Sequence, residues 1–101
     1  MIAQFSIIPL DKGTSLSEFV SKIIKIVDES GLPYRVGPMG TAVEGSWSEV
    51  FRLLKKCHTW AMKNSERVII NITIDDRKGQ SGRLDKKVQS VEKRLGKKLK
   101  R

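Results

Sequence analysis

The order of strand and helix patterns most constrains the fold of this chain, because the same pair of patterns occurs twice. Residues 2–8 form an apolar strand pattern that ends at a proline, which cannot continue a central ladder. Two further strands are predicted at residues 34–39 and 41–44, and the glycine and proline within the first place it at a sheet edge or a bulge. Residues 67–74 show the clearest alternation of apolar and polar side chains. The chain therefore offers four strands, with long gaps after the first and the third.

A helix pattern fills each of these two gaps. Each pattern opens with the spacing of a capping box, formed by Ser15 and Glu18 in the first and by Ser46 and Glu49 in the second. Apolar residues then recur at helical spacing. They are Leu16, Phe19, Val20, Ile23 and Val27 in the first helix, and Trp47, Val50, Phe51, Leu54, Cys57, His58 and Ala61 in the second. The order is therefore β-α-β followed by β-α-β.

Two β-α-β halves of this kind usually interlock as one antiparallel sheet with both helices on one face. We therefore predict an α+β fold of the ferredoxin-like, split β-α-β type, with four antiparallel strands, in one domain over residues 1–101. A basic C-terminal helical segment is added at residues 83–101, with its helix expected from about residue 83 to residue 95 or beyond. The narrow apolar stripe of this helix suits pairing with another helix or packing back on its own sheet.

Strand parity predicts which side chains point away from the two covering helices. If Phe5 faces the helices, Gln4 and Ser6 face the other way, beside Asn71 and Thr73. Isoleucines surround these polar groups: Ile2, Ile8 and Ile69. A face this apolar is not expected to remain in water. We therefore expect a homo-oligomer, a dimer or tetramer formed through this face, in which the polar groups find partners in another subunit, water or a ligand.

The net charge of +9 is confined to the C-terminal quarter of the chain. Residues 1–76 carry nine Lys and Arg against nine Asp and Glu, whereas residues 77–101 carry eleven against two. A basic tail can attract nucleic acid, or it can be the solvated face of a terminal helix, which is the interpretation that we favour. The alternative function is thus a nucleic-acid-associated protein that uses this segment.

Side chains suited to catalysis are few and scattered. Cys57 and His58 are adjacent on a helix, so their side chains diverge by about 100° and do not face each other as nucleophile and base. Both are expected to be buried and structural. The sequence contains no phosphate-binding glycine motif and no set of metal ligands. We therefore expect no enzyme activity, no cofactor and no metal.

Apolar runs and the cysteine count predict where the protein resides. No run approaches the roughly 20 apolar residues of a membrane span. The N-terminal stretch has no basic leader, so it is interpreted as a strand and not as a signal peptide. Cys57 has no second cysteine with which to form a disulfide. A cytoplasmic protein without membrane contact is expected.

Residues 34–45 carry a longer signature. They read Y-R-V-G-P-M-G-T-A-V-E-G and resemble the Y-x-x-G-P-M-G-T-x-x-E-G signature of a family of small thiamine-binding proteins. The first strand and the basic C-terminal helix also look like those of this family, so the resemblance covers nearly the whole chain. It implies a ferredoxin-like fold, association through the sheets, commonly as tetramers built from dimers, and binding of thiamine or its hydroxymethylpyrimidine half near subunit interfaces.

The candidate ligand contacts combine this signature with strand parity: Ser6, Thr41, Glu44, Asn71 and Thr73. Their hydroxyl, amide and carboxylate groups can satisfy the donors and acceptor of an aminopyrimidine. Glu44 suits a cationic thiazolium ring, and its alternative interpretation is an exposed acid at a strand end. Tyr34 or Trp47 can stack on that ring. The predicted function is non-catalytic binding of a thiamine-class ligand.

Overall fold

The computed structural model of the protein describes residues 1–13, 16–79 and 81–100. Four strands and three helices follow one another in the order β-α-β-β-α-β-α. The strands are β1 (Ile2–Pro9), β2 (Tyr34–Val36), β3 (Thr41–Glu44) and β4 (Val68–Asp75), and the helices are α1 (Ser17–Glu29), α2 (Trp47–Asn64) and α3 (Arg83–Leu95). The predicted order of elements is confirmed.

The strands form one sheet in the order β2-β3-β1-β4, with every neighbouring pair antiparallel. This order is the one expected for two interlocked β-α-β halves, so the ferredoxin-like prediction is confirmed. Strand β2 lies at an edge, as its glycine and proline predicted. It is shorter than predicted, however, because it ends at Val36 and residues 37–40 form a turn instead of a strand.

The hydrophobic core lies between one face of the sheet and the helices α1 and α2. Strand β1 contributes Ala3, Phe5 and Ile7, which are all buried and alternate with exposed or half-buried neighbours. The helices contribute Phe19, Ile23 and Val27 from α1, and Val50, Leu53, Leu54, Cys57 and Ala61 from α2. Burial of each of the larger side chains among them stabilises the fold by about 1.5–3 kcal/mol. The prediction that Phe5 faces the helices is confirmed.

Helix α2 begins as its sequence predicts. The Ser46 hydroxyl accepts a hydrogen bond from the Glu49 N–H at 3.2 Å, and the Glu49 carboxylate accepts one from the Ser46 N–H at 2.9 Å. These bonds satisfy N–H groups that have no partner inside the helix, and they lower the pKa of Glu49. In α1 the predicted capping residue, Ser15, lies outside the described residues, and the helix begins at Ser17 after Leu16.

Two members of the predicted α2 stripe are exposed. His58 is exposed, so the prediction of a buried histidine is wrong, and Trp47 is 61% exposed. Leu53, which the predicted stripe omitted, is buried. The reason is that the buried residues recur at steps of three and four from Val50, which places residues 47 and 58 at the margins of the buried face.

Helix α3 lies against the face of the sheet opposite to α1 and α2, as its contacts show below. It ends at Leu95, where Gly96 adopts a φ of +71°. The bounds agree with the helix expected from about residue 83 to residue 95, and residues 96–100 of the basic segment do not extend it, because a left-handed glycine ends a helix. Beyond it, the N–H of Leu99 donates to the Glu92 carboxylate at 2.6 Å. Among the described residues, no helix combines the length and the apolar character that crossing a bilayer requires.

Candidate functional site

The site begins where β1 continues beyond the end of β3. Strand β1 pairs with β4 along its full length, from Ile2 to Pro9. It pairs with β3 only from Ile2 to Phe5, because the chain turns at residues 37–40 instead of extending β3 further. The last part of β1 therefore has a neighbouring strand on one side only.

A cleft of about 250 Å³ opens beside this part of β1. Its walls are the end of β1, the helix α1 and the 37–40 turn, so the family-like signature forms one side of it. The side chains that line it are mostly apolar: Phe5, Ile7, Ile8, Leu16, Val20, Ile23, Ile24, Val36, Pro38 and Met39. Two residues with hydroxyl side chains, Ser6 and Thr41, belong to the lining as well. A concave, mainly apolar surface with a few polar groups is typical of small-molecule sites.

The 37–40 turn approaches β1 closely. The N–H of Gly37 donates to the carbonyl of Gly40 at 2.9 Å, which closes the turn. A Cβ atom on Gly40 would lie only 3.0 Å from the carbonyl oxygen of Phe5, so any side chain here would force the turn away from β1. The Met39 side chain is 84% exposed and stands at the rim of the cleft instead of filling it.

A row of polar groups runs across the face of the sheet that α1 and α2 leave uncovered. Ser6 lies opposite Asn71, and Gln4 lies opposite Thr73, so all four share this face. The next pair along the row is Ile8 and Ile69, which are 40% and 44% exposed. The predicted side-by-side placement of the four polar residues is confirmed.

Glu44 lies at the other end of the same face, and its carboxylate caps α3. Its two oxygens accept hydrogen bonds from the N–H groups of Arg83 at 2.8 Å and Leu84 at 3.4 Å. A carboxylate at this position satisfies unpaired N–H groups and interacts favourably with the helix dipole. Glu44 is only 9% exposed, so the interpretation as an exposed strand-end acid is wrong.

Ion pairs fasten the first turn of α3 to the same end of the sheet. Asp75 of β4 accepts hydrogen bonds from the guanidinium of Arg83 and the ammonium of Lys87. The Arg83 contact, followed by that of Lys87, holds the pKa of Asp75 well below its usual range. Arg35 of β2 pairs with Asp85. Since Glu44, Asp75 and Arg35 all lie on the face away from Phe5, α3 covers one end of that face.

The structure separates the five predicted ligand contacts into three places. Ser6, Asn71 and Thr73 lie together on the uncovered face. Thr41 pairs with Phe5 and is buried on the helix side, where it meets Ser6 only at the cleft. Glu44 is separated from the level of Ser6 by four residues of strand, roughly 13 Å. Contact of these residues with a ligand stays a prediction.

Several features of the cleft were not predicted from the sequence. Val20, Ile24 and Met39 line the cleft. The sequence indicated this only indirectly, because an unusual signature such as that of residues 34–45 is expected to pack against another element. The two aromatic residues proposed for stacking lie elsewhere. The Tyr34 hydroxyl donates to Asp28 at 2.8 Å, and the Trp47 ring packs on Phe51 with centroids 4.3 Å apart.

The remaining candidate groups for chemistry stand apart from the cleft. Cys57 is fully buried, as predicted, and burial raises the pKa of its thiol to about 11. His58 lines a shallow groove between α2 and β4. In the described part of the chain, no three His, Cys, Asp or Glu side chains are grouped so that they could hold a metal ion.

Comparison with known proteins places the chain among relatives of the same size. The sequence profile of a family described as "Thiamine-binding protein" matches residues 3–92. The UPF0045 protein MJ1052 of Methanocaldococcus jannaschii is 32% identical over 91 residues, which cover 90% of this chain and 91% of that protein. The UPF0045 protein YqgV of Bacillus subtilis is 36% identical over 100 residues, covering 93% and 96%.

Solved structures share the fold. The crystal structure of MJ1052 matches with a TM-score of 0.82 at 32% identity, covering 89% of this chain and 93% of that one. A Thermotoga maritima protein, for which a role in thiamine biosynthesis or salvage has been suggested, matches with a TM-score of 0.80 at 23% identity, covering 89% and 96%. The family profile spans the strands and helices that build the cleft and the polar row. The chain therefore belongs to the thiamine-binding protein family.

Proposed function

We propose that this protein binds thiamine or its hydroxymethylpyrimidine half without catalysing a reaction on it. The observation that carries this proposal is the cleft beside the end of β1, one wall of which is the glycine-rich turn of the family-like signature. Membership of a thiamine-binding family supports the choice of ligand. The suggested role of the Thermotoga maritima protein in thiamine biosynthesis or salvage points to the same ligand class.

The chemistry of the cleft suits a planar heterocycle. Aliphatic side chains from α1 and β1 can pack on the faces of such a ring, and the Ser6 and Thr41 hydroxyls can donate to or accept from its nitrogen atoms. None of the cleft-lining residues carries a side chain that titrates near neutral pH. General acid or base catalysis needs such a group within hydrogen-bond reach, which favours a binding role.

The uncovered face of the sheet supports a homo-oligomer. Ile8 and Ile69 form an exposed apolar pair there, beside the polar row and beyond the end that α3 covers. A second copy of the chain would remove these side chains from water. Ser6 lines the cleft and also belongs to the polar row, so a neighbouring subunit on this face would lie close to the bound ligand.

The test is a calorimetric titration of the purified protein with thiamine, and separately with hydroxymethylpyrimidine, at low and at high salt. We expect saturable binding that changes little with salt, because the cleft is mainly apolar and salt screens charge interactions over roughly 8–10 Å. Absence of heat with both ligands at both salt concentrations would contradict the proposal. Binding of nucleic acid that weakens steeply with salt would instead favour the basic C-terminal segment as the functional element.

A matched pair of variants shows whether binding takes place in the cleft. Val20→Trp places a large ring in the cleft from an exposed position on α1. Lys25→Trp places the same ring on α1 outside the cleft, at a side chain that is 70% exposed. We expect the first to weaken thiamine binding at least tenfold and the second to leave it unchanged. Equal affinities for both variants would show that the ligand binds elsewhere.

A further inference from the structure

Successive residues of β1 direct their backbone N–H and C=O groups in turn towards β3 and towards β4. The carbonyl of Met1 accepts from the Gly45 N–H at 3.0 Å, on the β3 side. The N–H of Leu10 donates to the Arg67 carbonyl at 2.9 Å, on the β4 side. In an antiparallel strand the N–H and C=O of one residue point the same way, and the direction alternates along the chain. The odd-numbered residues of β1 therefore point towards β3.

Ile7 is an odd-numbered residue that β3 does not reach. The ladder between β1 and β3 ends at the pair of Phe5 and Thr41. On that side, no backbone partner of Ile7 is found within residues 1–13, 16–79 and 81–100. The N–H and C=O of Ile7 therefore stand side by side at the wall of the cleft, which Ile7 lines. Pro9, the next odd-numbered residue, has no N–H to offer.

These two peptide groups require a partner with an acceptor and a donor next to each other. In a ladder, the opposite residue would supply its own C=O and N–H. A 4-aminopyrimidine supplies the same pair in one plane, because its ring nitrogen accepts and its adjacent amino group donates. A peptide group that is removed from water without a partner costs free energy comparable to a lost hydrogen bond. A ligand that pairs with Ile7 as it fills the cleft avoids this cost.

We infer that the Ile7 backbone recognises the aminopyrimidine edge of the ligand, as if the ring were one more residue of β3. The inference rests on the proposed function and specifies which backbone groups bind the pyrimidine half of a thiamine-class ligand. The second, cationic ring is left towards the solvent, because no carboxylate lines the cleft. The exposed Met39 side chain leaves the entrance open to it.

The first test compares ligands that differ at the recognised edge. Oxythiamine carries a carbonyl in place of the amino group and a protonated ring nitrogen beside it, so its donor and acceptor are exchanged. We expect it to bind roughly tenfold to a hundredfold more weakly than thiamine, because both hydrogen bonds are lost. Pyrithiamine is the matched control, since it changes the other ring and keeps the aminopyrimidine. It is expected to bind within about threefold of thiamine.

The second test observes the peptide group itself, without altering the fold. Backbone amide NMR of the full chain is recorded with and without saturating thiamine. The Ile7 amide proton is expected to shift downfield and to exchange more slowly with solvent once the ligand is bound. The Phe5 amide is the internal control, because its residue is already paired with Thr41 and its exchange is expected to change little.

The outcomes separate this inference from the proposed function. Weak oxythiamine binding together with a shifted Ile7 amide supports both. Equal binding of thiamine and oxythiamine, or an unchanged Ile7 amide in a saturated protein, overturns the inference and leaves the proposed function in place. Absence of thiamine binding overturns both.

Discussion

At the residue scale, Gly40 is the position where the 37–40 turn packs against the backbone of β1. A Gly40→Ala methyl group would lie 3.0 Å from the Phe5 carbonyl oxygen, so the turn would have to move away from β1. We expect a loss of about 1–3 kcal/mol in the free energy of unfolding, measured in urea. Gly45→Ala is the control, because its methyl group would meet only the side chains of Leu32 and Glu49, at 3.3–3.4 Å, and these can shift. Equal losses for the two variants would contradict this account.

Cys57 offers a second prediction, about reactivity. The thiol is fully buried and burial raises its pKa to about 11, whereas the thiolate is the reactive form. A thiol reagent at pH 8 is expected to modify the unfolded chain within minutes and to leave the native protein unmodified over the same period. Because the folded pKa is raised above the unfolded value near 9, this residue's contribution to stability is present below pH 9 and lost between pH 9 and pH 11. Rapid modification of the native protein would show that the core opens.

The sequence alone predicted the placement of some residues better than that of others. The two faces of β4 were predictable, because side chains alternate strictly along a strand. The position of Glu44 was not, because its hydrogen-bond partners lie 39 and 40 residues further along the chain. The exposure of His58 depends on where α2 rests on the sheet, and helical spacing fixes the buried face only to within about one residue at its margins.

At the element scale, the capping box of α2 is a local device whose contribution can be isolated. Ser46→Ala removes the hydroxyl that accepts from the Glu49 N–H, and we expect it to lower the free energy of unfolding by about 1 kcal/mol. Ser48→Ala lies two residues later at an exposed helical position. It is expected to be neutral or slightly stabilising, because alanine favours a helix more than serine does. A urea titration of the three proteins measures both effects.

The attachment of α3 to the sheet is predicted to depend on pH. The pKa of Asp75 is lowered in the folded protein by the contacts of Arg83 and then Lys87. A lowered pKa means that this contribution is complete above the unfolded value near 3.8 and is lost as the pH falls below it. Amide NMR between pH 7 and pH 2 is expected to show the first turn of α3 losing its exchange protection below pH 3.8.

The matched variants for this prediction differ by one position. Asp75→Asn is expected to weaken the protection of α3 already at pH 7. Asp76→Asn removes an adjacent acid that lies 3.9 Å from the N-terminal ammonium and, within the described residues, forms no hydrogen bond to α3. Its charge acts on Arg83 only as a weaker, through-space interaction than that of Asp75, so this variant is expected to leave α3 protected. Identical protection profiles in the two variants would show that Asp75 does not hold the helix. The sequence predicted this helix well, but not its attachment, because the anchoring residues belong to three other elements.

At the scale of the whole molecule, the proposed homo-oligomer depends on the uncovered face of the sheet. Ile69 and Met62 are each 44% exposed, the first on this face and the second on α2. Ile69→Lys places a charge where a second copy is proposed to pack, so we expect it to reduce the mass measured by sedimentation. Met62→Lys is expected to leave the mass unchanged. A monomeric parent protein, or identical behaviour of both variants, would remove the proposed interface.

The overall arrangement was predictable because several independent sequence patterns all indicate it. Repeated strand and helix patterns, a capping box and strict alternation in β4 all indicate one interlocked sheet. The cleft was not predictable, because it results from a difference in length between β1 and β3. That difference depends on where the chain turns at residues 37–40, and four residues without a helical or strand period do not specify their own geometry.

The central place of β1 has a consequence for how the protein is made. This strand leaves the ribosome before its neighbour β4, which ends at residue 75, 66 residues after β1 ends. At synthesis rates of about 5–20 residues per second, the interval is roughly 3–13 seconds. During that time one edge of an apolar segment has no native partner and is open to strands of other nascent chains. Translation speed and chaperone access over this interval therefore influence how much of the protein reaches its native sheet.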